Sequence, residues 1–594
     1  GSGSFWDFQA SKALKQELRD AIRDHFKYWK AGKRNKTTIS QYFILAGAGE
    51  GKSRTAQELP KLLMECTNNL LQQPGKVWLG FKQKNQYNEP PDDVLCRIAK
   101  HRNQEYNELN VIIILDGLQA AINENMDRTD KKSFFYDCIS ALGMLSLSVP
   151  FIITCCTATI SMPIHSFLAS SQQLRVFLPV TSLRPPRINS NPVFVDNPVM
   201  KMLINDMGGH GRALEALVDS ISGIYLDNIN FIDLINGVRS NLGKKYQIWL
   251  SNTDYLKPVL RIILSRTQVN KKQNISTFEG KEVTVDDVTK FGLVRFVSQR
   301  ADEVFGYLTC PYIWLWIMAR ESRDKILRNW NFNYYNEVRN KAGNPSIPPG
   351  CQYWQNFEYI VAQFRALKSN IYGDNEQVEL GVIHNGAKHN FGDSTIYNRE
   401  LRLEQSVKRV STRSEDYKQG VKILCQDGEV DVTEAKHIII NAPSAKSGDS
   451  FCSIQMVGTE LPQMETHKCK LVKQMISQER FKDEYEKATS PGDTFILYTS
   501  ASSKKLELHQ PMSAIVSKDN WEEYFGPFAG RCYNYAMEQP NLNEVTYTQL
   551  TGINCIGEAR ARIIMEERNK RKFSGIDDCE RRTKIPRTYL EPFF

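Results

Sequence analysis

The sequence predicts a multidomain α/β protein whose first domain is built on a parallel sheet. Over the first 190 residues, short apolar runs alternate with helical patterns, and strands that alternate with helices pair in parallel through right-handed crossovers. The chain has 594 residues, more than one hydrophobic core normally holds, so several domains are expected. A content of 41% hydrophobic and 24% charged residues is ordinary for globular domains and excludes global disorder.

Charge, cysteine content and hydrophobic runs indicate which partners and which cellular compartment to expect. Lys and Arg number 76 against 67 Asp and Glu, a net charge of +9, so any nucleic-acid surface is expected to be local. The 13 cysteines are odd in number and no two have C-x-x-C spacing, which favours free thiols in a reducing compartment. The stretch from Cys138 to Leu174 has no charged residue, but its prolines and hydroxyl side chains indicate a buried helix and strand rather than a membrane span.

The first domain is expected to cover residues 5–190. A basic, amphipathic helix is predicted between residues 5 and 37, and its apolar stripe is more typical of a core face than of a membrane or partner surface, because a strand follows directly. Further helices are predicted after Lys52, near Asp93 to Lys100, and from Lys132 to Ser146. The expected strands are Tyr42 to Ala46, Val77 to Phe81, Val111 to Leu115, Phe151 to Cys156 and Val176 to Val180.

Three further segments are predicted. Residues 191–345 have helical patterns and then a turn and strand at Phe291 to Val297, which indicates a helical lid followed by a winged-helix-like module. A Pro/Gly-rich stretch from Gly343 to Gly350 predicts a linker. Residues 351–542 combine a helix near Trp354 to Lys368 with several strands, as in a second α/β domain, and residues 543–594 form a helical, basic tail.

A glycine-rich loop follows the first strand. It carries the phosphate-loop pattern, with alanine at the first glycine position, in Ala46-Gly47-Ala48-Gly49-Glu50-Gly51-Lys52-Ser53-Arg54. The glycines Gly47, Gly49 and Gly51 let backbone N–H groups surround a phosphate, while Lys52 would reach the β- and γ-phosphates and Ser53 would bind Mg²⁺. Because the loop lies between a strand and a helix, the sequence predicts a P-loop NTPase with ATP and Mg²⁺ as cofactors rather than an ordinary glycine turn. Arg54 follows directly and is counted with this site.

The metal-binding partner of the loop is predicted at the end of another strand. The apolar run from Val111 to Leu115 ends in Asp116, whose carboxylate would hold the water shell of the metal. The strand Val77 to Phe81 fits between the two motifs, as in the P-loop branch with an inserted strand. Gln119 stands where the NACHT and STAND signalling NTPases have an acid, so we expect slow hydrolysis or a base from elsewhere.

Two positions are candidates for sensing the γ-phosphate. Thr154 lies in the predicted fourth strand and Thr157 directly follows it, and either could sense the γ-phosphate. An ordinary buried threonine is the alternative. In the lid, Gly208-Gly209-His210-Gly211-Arg212-Ala213-Leu214-Glu215 opens a helix, and the guanidinium of Arg212 is expected to contact the γ-phosphate. A solvent-facing arginine is the competing interpretation.

The second α/β domain shows part of a nuclease pattern. Restriction-endonuclease-like folds place a helix Glu, a strand Asp and a Glu- or Gln-x-Lys around one or two metal ions. Here the candidates are Glu358 on a helix and Asp449 before a strand, both as metal ligands, with Gln455 further along that strand. Val457 stands where the lysine is expected, so either a later lysine replaces it or the site has degenerated. The later lysines are Lys468, Lys470 and Lys473.

The tail resembles a helix-hairpin-helix DNA-binding motif. It runs from Leu550 to Ile564, with Cys555 in place of the usual first hairpin glycine. In such a motif the hairpin N–H groups meet a DNA phosphate, and flanking Lys and Arg add salt-sensitive affinity. A helical packing module is the alternative, and the run Arg568 to Lys572 also fits a nuclear import signal. The candidate DNA contacts are Gly557, Arg560, Arg562, Lys570 and Arg571.

Together, these motifs resemble the Crinkler effectors of oomycetes and some fungi, and they are similar to the retrotransposon hot spot proteins of trypanosomes. The resemblance rests on the Gly51 to Arg54 loop, the Ile114 to Gly117 strand end, the Gly208 to Glu215 segment and the Trp354 to Lys368 helix. It spans roughly residues 5–540, and the tail matches an appendage of some Crinklers. The family's N-terminal translocation header is absent, so a trimmed N terminus is expected.

The resemblance implies an NTPase fused to a restriction-endonuclease-like domain, secretion by the microbe, and action in the host nucleus that promotes cell death or reprogramming. Double-stranded DNA and host nuclear components are the expected partners, no membrane is expected, and a homo-oligomer is left open. Two functions follow. In the first, ATP binding is coupled to Mg²⁺-dependent DNA cleavage or DNA binding. In the second, the nuclease fold is an inactive scaffold that binds DNA or chromatin and alters host transcription.

Overall fold

A computed structural model provides the structure, and its two compact units are described separately. The first comprises Gly1–Ile229, Leu234–Leu256 and Gln268–Met318, and the second comprises Asn230–Asp233, Lys257–Thr267 and Ala319–Phe594. The residues that the structure describes are 2–66, 75–80, 91–121, 134–159, 164–165, 171–195, 198–222, 231–250, 255–278, 281–290, 292–298, 303–321, 356–417, 420–443, 445–472, 474–532, 542–543, 547, 550 and 556–590.

The elements up to Phe177 follow the predicted alternation of strands and helices, and a run of helices and several short strands continues to residue 321. The helices are α1 (Lys12–Lys30), α2 (Lys52–Cys66), α3 (Pro91–His101), α4 (Phe134–Leu145), α5 (Pro198–Asp206), α6 (Gly211–Ile221), α7 (Phe231–Leu250), α8 (Leu256–Ser265), α9 (Val285–Lys290) and α10 (Tyr312–Glu321). The strands are β1 (Ser40–Leu45), β2 (Gly75–Gly80), β3 (Asn110–Asp116), β4 (Phe151–Ala158), β5 (Leu174–Phe177), β6 (Arg187–Ile188), β7 (Asn191–Pro192), β8 (Val269–Asn270), β9 (Asn274–Phe278), β10 (Lys281–Thr284), β11 (Arg295–Val297) and β12 (Phe305–Thr309).

The first unit contains the parallel sheet that the sequence predicts. Its strand order is β2-β3-β4-β1-β5, and all four neighbouring pairs are parallel. In the sheet, β4 separates β1 from β3, whereas β2, which lies between them in the sequence, occupies the edge. Because the strands are parallel, the carboxyl ends of β1, β3 and β4 lie side by side at the same end of the sheet, which is where open α/β sheets bind ligands.

The first helix packs its apolar stripe on this sheet. Ser11 caps α1, since its hydroxyl accepts a hydrogen bond from the Leu14 N–H at 3.1 Å. Leu14, Leu18 and Ile22 are buried in one core with residues of α2 and of the strands. The prediction that this stripe faces a core is confirmed. No helix in the described ranges is both long and apolar enough to cross a membrane.

Small antiparallel sheets follow the lid helices. Strands β11, β12 and β8 form a three-stranded sheet in the order β11-β12-β8, and β9 and β10 form a hairpin. The predicted turn and strand at Phe291 to Val297 appear as a turn at Gly292 followed by β11, while Phe291 itself lies outside the described residues. The predicted linker from Gly343 to Gly350 also lies outside them.

The second unit contains a nine-stranded mixed sheet. The helices after residue 355 are α11 (Asn356–Asn370), α12 (Leu380–Ile383), α13 (Gln478–Ala488), α14 (Trp521–Phe525), α15 (Glu558–Lys570), α16 (Ile576–Thr583) and α17 (Arg587–Leu590). The strands are β13 (Gln377–Glu379), β14 (Lys388–Asn390), β15 (Thr395–Tyr397), β16 (Arg402–Gln405), β17 (Lys422–Cys425), β18 (Gly428–Asp431), β19 (His437–Ile440), β20 (Ser450–Met456), β21 (Gln463–Lys470), β22 (Thr494–Thr499) and β23 (Ser513–Val516).

The centre of this sheet has a simple connectivity. Strands β19, β20 and β21 pair antiparallel in succession, and β21 pairs in parallel with β22 through the crossover helix α13. Helix α11 packs on β19, β20 and β21. Strands β13 to β18 and the short helix α12 come between α11 and β19 in the chain, so α11, the three antiparallel strands, α13 and β22 are neighbours in space rather than an unbroken sequence of elements.

The tail has its own small core. Ile556, Ala561, Ile564, Phe573 and Leu590 belong to one buried cluster that joins α15, α16 and α17. Gly557 precedes α15, and the predicted hairpin residues 551–555 lie outside the described residues.

Candidate functional site

The glycine-rich loop connects β1 to α2 at the carboxyl end of the parallel sheet. Gly49 and Gly51 have φ values of +85° and +101°, where a side chain would strain the backbone. Helix α2 begins at Lys52, so its N-terminal N–H groups face the loop. The backbone geometry is that of a phosphate-binding loop.

Lys52 is buried in this loop. Its Nζ lies 3.5 Å from the Gly47 carbonyl oxygen, and the side chain is 9% exposed. Burial lowers the pKa of Lys52 to about 8, the carboxylates of Asp116 and Glu50 oppose this, and Arg212 adds to it. An anionic ligand in the loop would restore the preference for the charged amine, so the site favours a phosphate.

Ser53 meets the predicted metal-binding aspartate. The Ser53 hydroxyl donates to Asp116 Oδ1 at 3.0 Å, which brings the loop and the end of β3 together. Adjacent oxygen ligands of an octahedral Mg²⁺, at about 2.1 Å from the metal, lie roughly 3 Å apart. The two oxygens therefore have the spacing of neighbouring magnesium ligands.

Thr157 also reaches Asp116. Its hydroxyl donates to Asp116 Oδ1 and accepts from the Gly117 N–H at 3.0 Å. The Thr154 hydroxyl is buried without a hydrogen-bond partner among the residues that the structure describes, whereas Thr157 lies at the site. Gln119, at the position where NACHT and STAND NTPases have an acid, accepts from the backbone N–H of Thr159 at 3.2 Å.

Helices α6 and α7, with the residue that caps α6, bring three side chains onto the loop. The Tyr246 hydroxyl donates to the Ala48 carbonyl at 3.1 Å, and His210 Nε2 lies 3.3 Å from the same oxygen. Arg212 lies over the Tyr246 ring at 5.6 Å and donates to its hydroxyl at 3.4 Å. Arg212 therefore lies beside the phosphate loop.

The loop is also packed against the turn that precedes β11. Glu50 accepts from the Gly47 N–H at 2.9 Å and forms a 3.0 Å ion pair with Arg295 Nε. A Cβ at Gly292 would lie 2.0 Å from the Ala48 carbonyl oxygen, and the Gly292 φ is +73°. Only glycine fits this contact between two backbones.

A cavity of about 330 Å³ adjoins the loop. It is lined by loop residues such as Lys52, by Trp6 and Phe8 from the N-terminal segment, and by Arg212. This volume suits a small ligand. Arg54 also lines this cavity, with its guanidinium 2.9 Å from Glu58 and 3.2 Å from the Trp6 carbonyl oxygen.

A second polar cluster lies at the paired ends of β20 and β21. Asp449 immediately precedes β20, and its Oδ1 is 2.7 Å from Lys468 Nζ on β21. Asp449 Oδ2 accepts from the Cys469 N–H at 2.6 Å. Lys470, another candidate lysine, pairs with Glu484 at 3.2 Å, and Lys473 lies outside the described residues.

Glu358 on α11 acts on the same cluster. Burial opposes the charge of Lys468, but Asp449, then Glu484 and Glu358, raise the pKa of this lysine above its usual value. Burial, followed by Asp449 and Glu358, raises the pKa of the Cys469 thiol. The structure therefore brings Glu358, Asp449 and Lys468 to one region of the second unit.

Gln455 does not join this cluster. It lies at the far end of β20, six residues from Asp449 and so about 20 Å away, and its amide donates to the Thr459 carbonyl at 2.6 Å. The residue two positions before Lys468 is Thr466, whose hydroxyl donates to the Thr412 carbonyl at 3.1 Å. The acid-or-amide position of the nuclease pattern is thus a threonine. No three or more His, Cys, Asp or Glu side chains in the described ranges are grouped to hold a metal ion.

A buried ionic network lies between α11 and β21. Arg365 donates to both oxygens of Glu465, at 2.5 Å and 2.9 Å, and these two side chains are 1% and 0% exposed. His467 and His384 contact the same carboxylate at 2.8 Å and 3.3 Å. Although burial opposes it, Arg365 followed by the histidines holds the pKa of Glu465 well below its usual value. This network fixes α11, which carries Glu358, to the strand that carries Lys468.

The candidate DNA contacts of the tail are occupied by intramolecular partners. Arg560 lies 4.1 Å from the Tyr589 ring centroid, and Arg562 lies 3.6 Å from Glu558. The remaining two basic residues also form ion pairs, Lys570 with Glu567 and Arg571 with Asp578. Gly557 precedes α15 without a side-chain cap, which leaves helix N–H groups for a phosphate.

Sequence reasoning missed several residues of the loop site, namely Glu50, Tyr246, Gly292 and Arg295. Glu50 lies inside the motif, so its position was a signal. Tyr246 and Arg295 are 198 and 245 residues from their loop partners, and no sequence pattern indicates these contacts. All 11 cysteines among the described residues are free thiols, as expected.

The first unit thus has the strand order and loop of the P-loop class, in the branch where a strand separates the loop strand from the aspartate strand. No protein-family model matches the chain. Crinkler effector protein 108 of Phytophthora sojae is 27% identical over 646 aligned positions, which cover 97% of this chain and 75% of the relative. This similarity to a Crinkler effector, along nearly the whole chain, confirms the resemblance predicted from the motifs.

Matches to solved structures are much weaker. The ORC2 protein of Aeropyrum pernix (12% identity) covers 43% of this chain and 75% of its own, with a TM-score of 0.27. The Aeropyrum pernix ORC1 protein in complex with DNA (13% identity) covers 53% and 94%, also at 0.27. The C. elegans PCH-2 protein (11% identity) covers 40% and 70%, at 0.25.

Proposed function

We propose that the chain is an ATP-binding Crinkler effector in which nucleotide at the phosphate loop controls a DNA-directed second half. The observation that carries the proposal is the 3.0 Å contact between Ser53 of the loop and Asp116 of β3. The loop N–H groups and Lys52 would hold the phosphates. Ser53 and Asp116 would hold Mg²⁺, which supplies charge neutralisation at the γ-phosphate.

Hydrolysis at this site is proposed to be slow. The position of Gln119 offers no carboxylate, and its amide oxygen already accepts from Thr159. Thr157 holds Asp116 in place. Arg212, over the loop, would stabilise negative charge that develops on the γ-phosphate.

ATP binding is tested by isothermal titration of the full chain with ATP and Mg²⁺. Lys52→Ala should weaken binding by roughly 10- to 100-fold, because it removes a charge-assisted contact to phosphate. Lys61→Ala is the matched control, since Lys61 lies exposed on the same helix. Full retention of ATP affinity by Lys52→Ala would overturn the nucleotide proposal.

For the second unit we propose a restriction-endonuclease-like domain that cuts DNA. Helix α11 packs on the antiparallel strands β19, β20 and β21, and α13 then leads to the parallel strand β22. This arrangement, with Asp449 beside Lys468 and Glu358 nearby, supports the proposal. Glu358 and Asp449 would bind Mg²⁺, which commonly takes only one or two protein carboxylates and completes its shell with water and phosphate. Lys468 would stabilise charge on the attacked phosphate.

The alternative is an inactive scaffold that binds DNA or chromatin. Thr466 at the acid-or-amide position favours it, because its hydroxyl already bonds to Thr412. A plasmid-nicking assay with Mg²⁺ separates the two functions. Lys468→Met and Asp449→Ala should lower nicking about a hundredfold or more, while Asp427→Asn, in an exposed turn, should not change it. If the unaltered protein leaves the plasmid intact at high concentration and with several divalent metals, the nuclease proposal is wrong and the scaffold function is supported.

DNA binding by the tail is the last part of the proposal. For each basic side chain that no longer reaches a DNA phosphate, the slope of log affinity against log salt should become shallower by about 0.9. Arg560→Ala with Arg562→Ala is therefore expected to flatten the salt dependence measured by fluorescence anisotropy. Similarity to a Crinkler effector supports secretion by a microbe. Action on DNA in the host nucleus, leading to cell death or reprogramming, completes the proposed role.

A further inference from the structure

The Tyr246 side chain reaches the phosphate loop from a break in a helix. Tyr246 has φ −131° and ψ 23° inside α7, which interrupts the helical geometry at that residue. The residue is 4% exposed, and its hydroxyl donates to the Ala48 carbonyl at 3.1 Å. A helix interruption of this kind has an identifiable cause, and here it coincides with the residue whose hydroxyl contacts the loop.

The hydroxyl also holds Arg212. A guanidinium can only donate and a carbonyl can only accept, so the Tyr246 hydroxyl must accept from Arg212 Nη1, at 3.4 Å, while it donates to Ala48. The Arg212 side chain also contacts the ring of Tyr246 at 5.6 Å. A Cβ at Gly49 would lie 2.7 Å from the Tyr246 hydroxyl and 2.8 Å from Arg212 Cδ, so both side chains rest directly on the loop.

His210 ties the helix of Arg212 to the same carbonyl. Its Nδ1 accepts from the Ala213 N–H at 3.3 Å, and burial lowers the pKa of His210 to about 3, so the ring is neutral. The proton must then be on Nε2, which donates to the Ala48 oxygen at 3.3 Å. The Ala48 carbonyl oxygen therefore connects the loop to α6 through His210 and to α7 through Tyr246.

We propose that Tyr246 is a positioning residue that holds Arg212 for the γ-phosphate and so gives the site its preference for nucleoside triphosphate over diphosphate. The inference rests on the proposed ATP binding at this loop. With a diphosphate, the guanidinium has no phosphate to reach and stays on Tyr246. With a triphosphate, an arginine already ordered beside the loop loses less conformational entropy when it binds the terminal phosphate.

Removal of the hydroxyl alone tests this role. Tyr246→Phe keeps the ring under Arg212, and His210 still donates to Ala48. We expect ATP affinity to fall about five- to tenfold, while ADP affinity changes less than about twofold, in titrations of the full chain with Mg²⁺. Tyr255→Phe is the matched control, because Tyr255 is also buried in this unit and its hydroxyl contacts Met318 rather than the loop.

A second variant distinguishes positioning from a general structural effect. In an Arg212→Ala background, Tyr246→Phe should produce no further loss of ATP affinity, because its effect passes through the arginine. The inference would be overturned if Tyr246→Phe left the ratio of ATP to ADP affinity unchanged. It would also be overturned if Tyr246→Phe lowered ATP affinity as much in the Arg212→Ala background as in the unaltered protein. Failure of the unaltered protein to bind ATP at all would instead overturn the proposed nucleotide site.

Discussion

The phosphate loop of the first unit is shaped by main-chain groups, whereas the Asp449–Lys468 cluster of the second unit is placed by buried charges. Around the loop, the close contacts are glycine against backbone, as at Gly292 and Ala48. Around the second cluster, Arg365 and Glu465 are fully buried and determine where the helix meets the strand. The first site should therefore be sensitive to side-chain volume, and the second to loss of a charge partner.

The largest expected effect is in the ionic network. Glu465→Ala should lower the free energy of unfolding of the second unit by about 3–5 kcal/mol, because Arg365 is left buried without its partner. Urea titration combined with hydrogen–deuterium exchange in residues 356–370 and 463–470 measures this loss. Arg365→Met with Glu465→Met removes both charges and should retain most of the stability. A loss below about 1 kcal/mol in Glu465→Ala would contradict the claim that buried charges hold the second site in place.

The next effect is a dependence on pH. Burial, opposed by the neighbouring Glu465, lowers the pKa of His384 from 6.5 to about 4. Between these values the unfolded chain binds more protons than the folded one, so stability is present above pH 6.5 and falls as pH drops toward 4. At about 1.4 kcal/mol per pKa unit the loss reaches about 3 kcal/mol near pH 4.

The first unit offers a comparison for this titration. Burial also lowers the pKa of His25 to about 4. Urea midpoints measured from pH 4 to 7 should flatten in the second unit for His384→Phe and in the first unit for His25→Phe. An unchanged acid slope in both variants would show that other groups govern the acid transition.

A smaller effect is expected at the backbone contact of the loop. Gly292→Ala places a methyl group against the Ala48 carbonyl in a left-handed backbone, which should cost about 1–3 kcal/mol and weaken ATP binding. Thermal melting and ATP titration measure the two consequences. The control is Gly243→Ala, since a Cβ there meets nothing within 4 Å and alanine favours the helix by up to about 1 kcal/mol. Similar results for the two variants would contradict the claim of a volume-limited contact.

The smallest effect is expected at a single hydroxyl. Thr157→Val removes the hydrogen bond to Asp116 and should lower the rate of ATP hydrolysis about tenfold, since a hydrogen bond to a charged group contributes roughly 1.5 kcal/mol or more. Thr157→Ser keeps the hydroxyl and should retain the rate. Equal steady-state rates for all three proteins would assign Thr157 a packing role.

The same difference between the two sites explains what the sequence revealed. The loop from Gly47 to Ser53 is contiguous, and its glycines and lysine predict both its conformation and its chemistry. Asp116 follows an apolar strand, which is a local signal as well. Tyr246 has no such signal, because its approach to the loop depends on the packing of the lid helices.

In the second unit, the register of two strands determines which residues meet. Asp449 pairs with Lys468 because Ser450 lies opposite His467 in the antiparallel β20–β21 pair. The sequence alone does not specify this register, so it predicts Gln455, which lies at the far end of the same strand. The membership of Glu358 and Asp449 in one region was predictable from the order of the elements, while the identity of the lysine was not.

The contact of Glu50 with Arg295 bears on how the protein is made. It spans 245 residues, and the Gly292 contact with Ala48 spans nearly as many. During synthesis, the sheet of the first unit is complete long before the residues that brace its loop leave the ribosome. A fragment of residues 5–190 would therefore contain every strand of the parallel sheet and still lack a finished phosphate loop, so nucleotide binding should appear only late in translation.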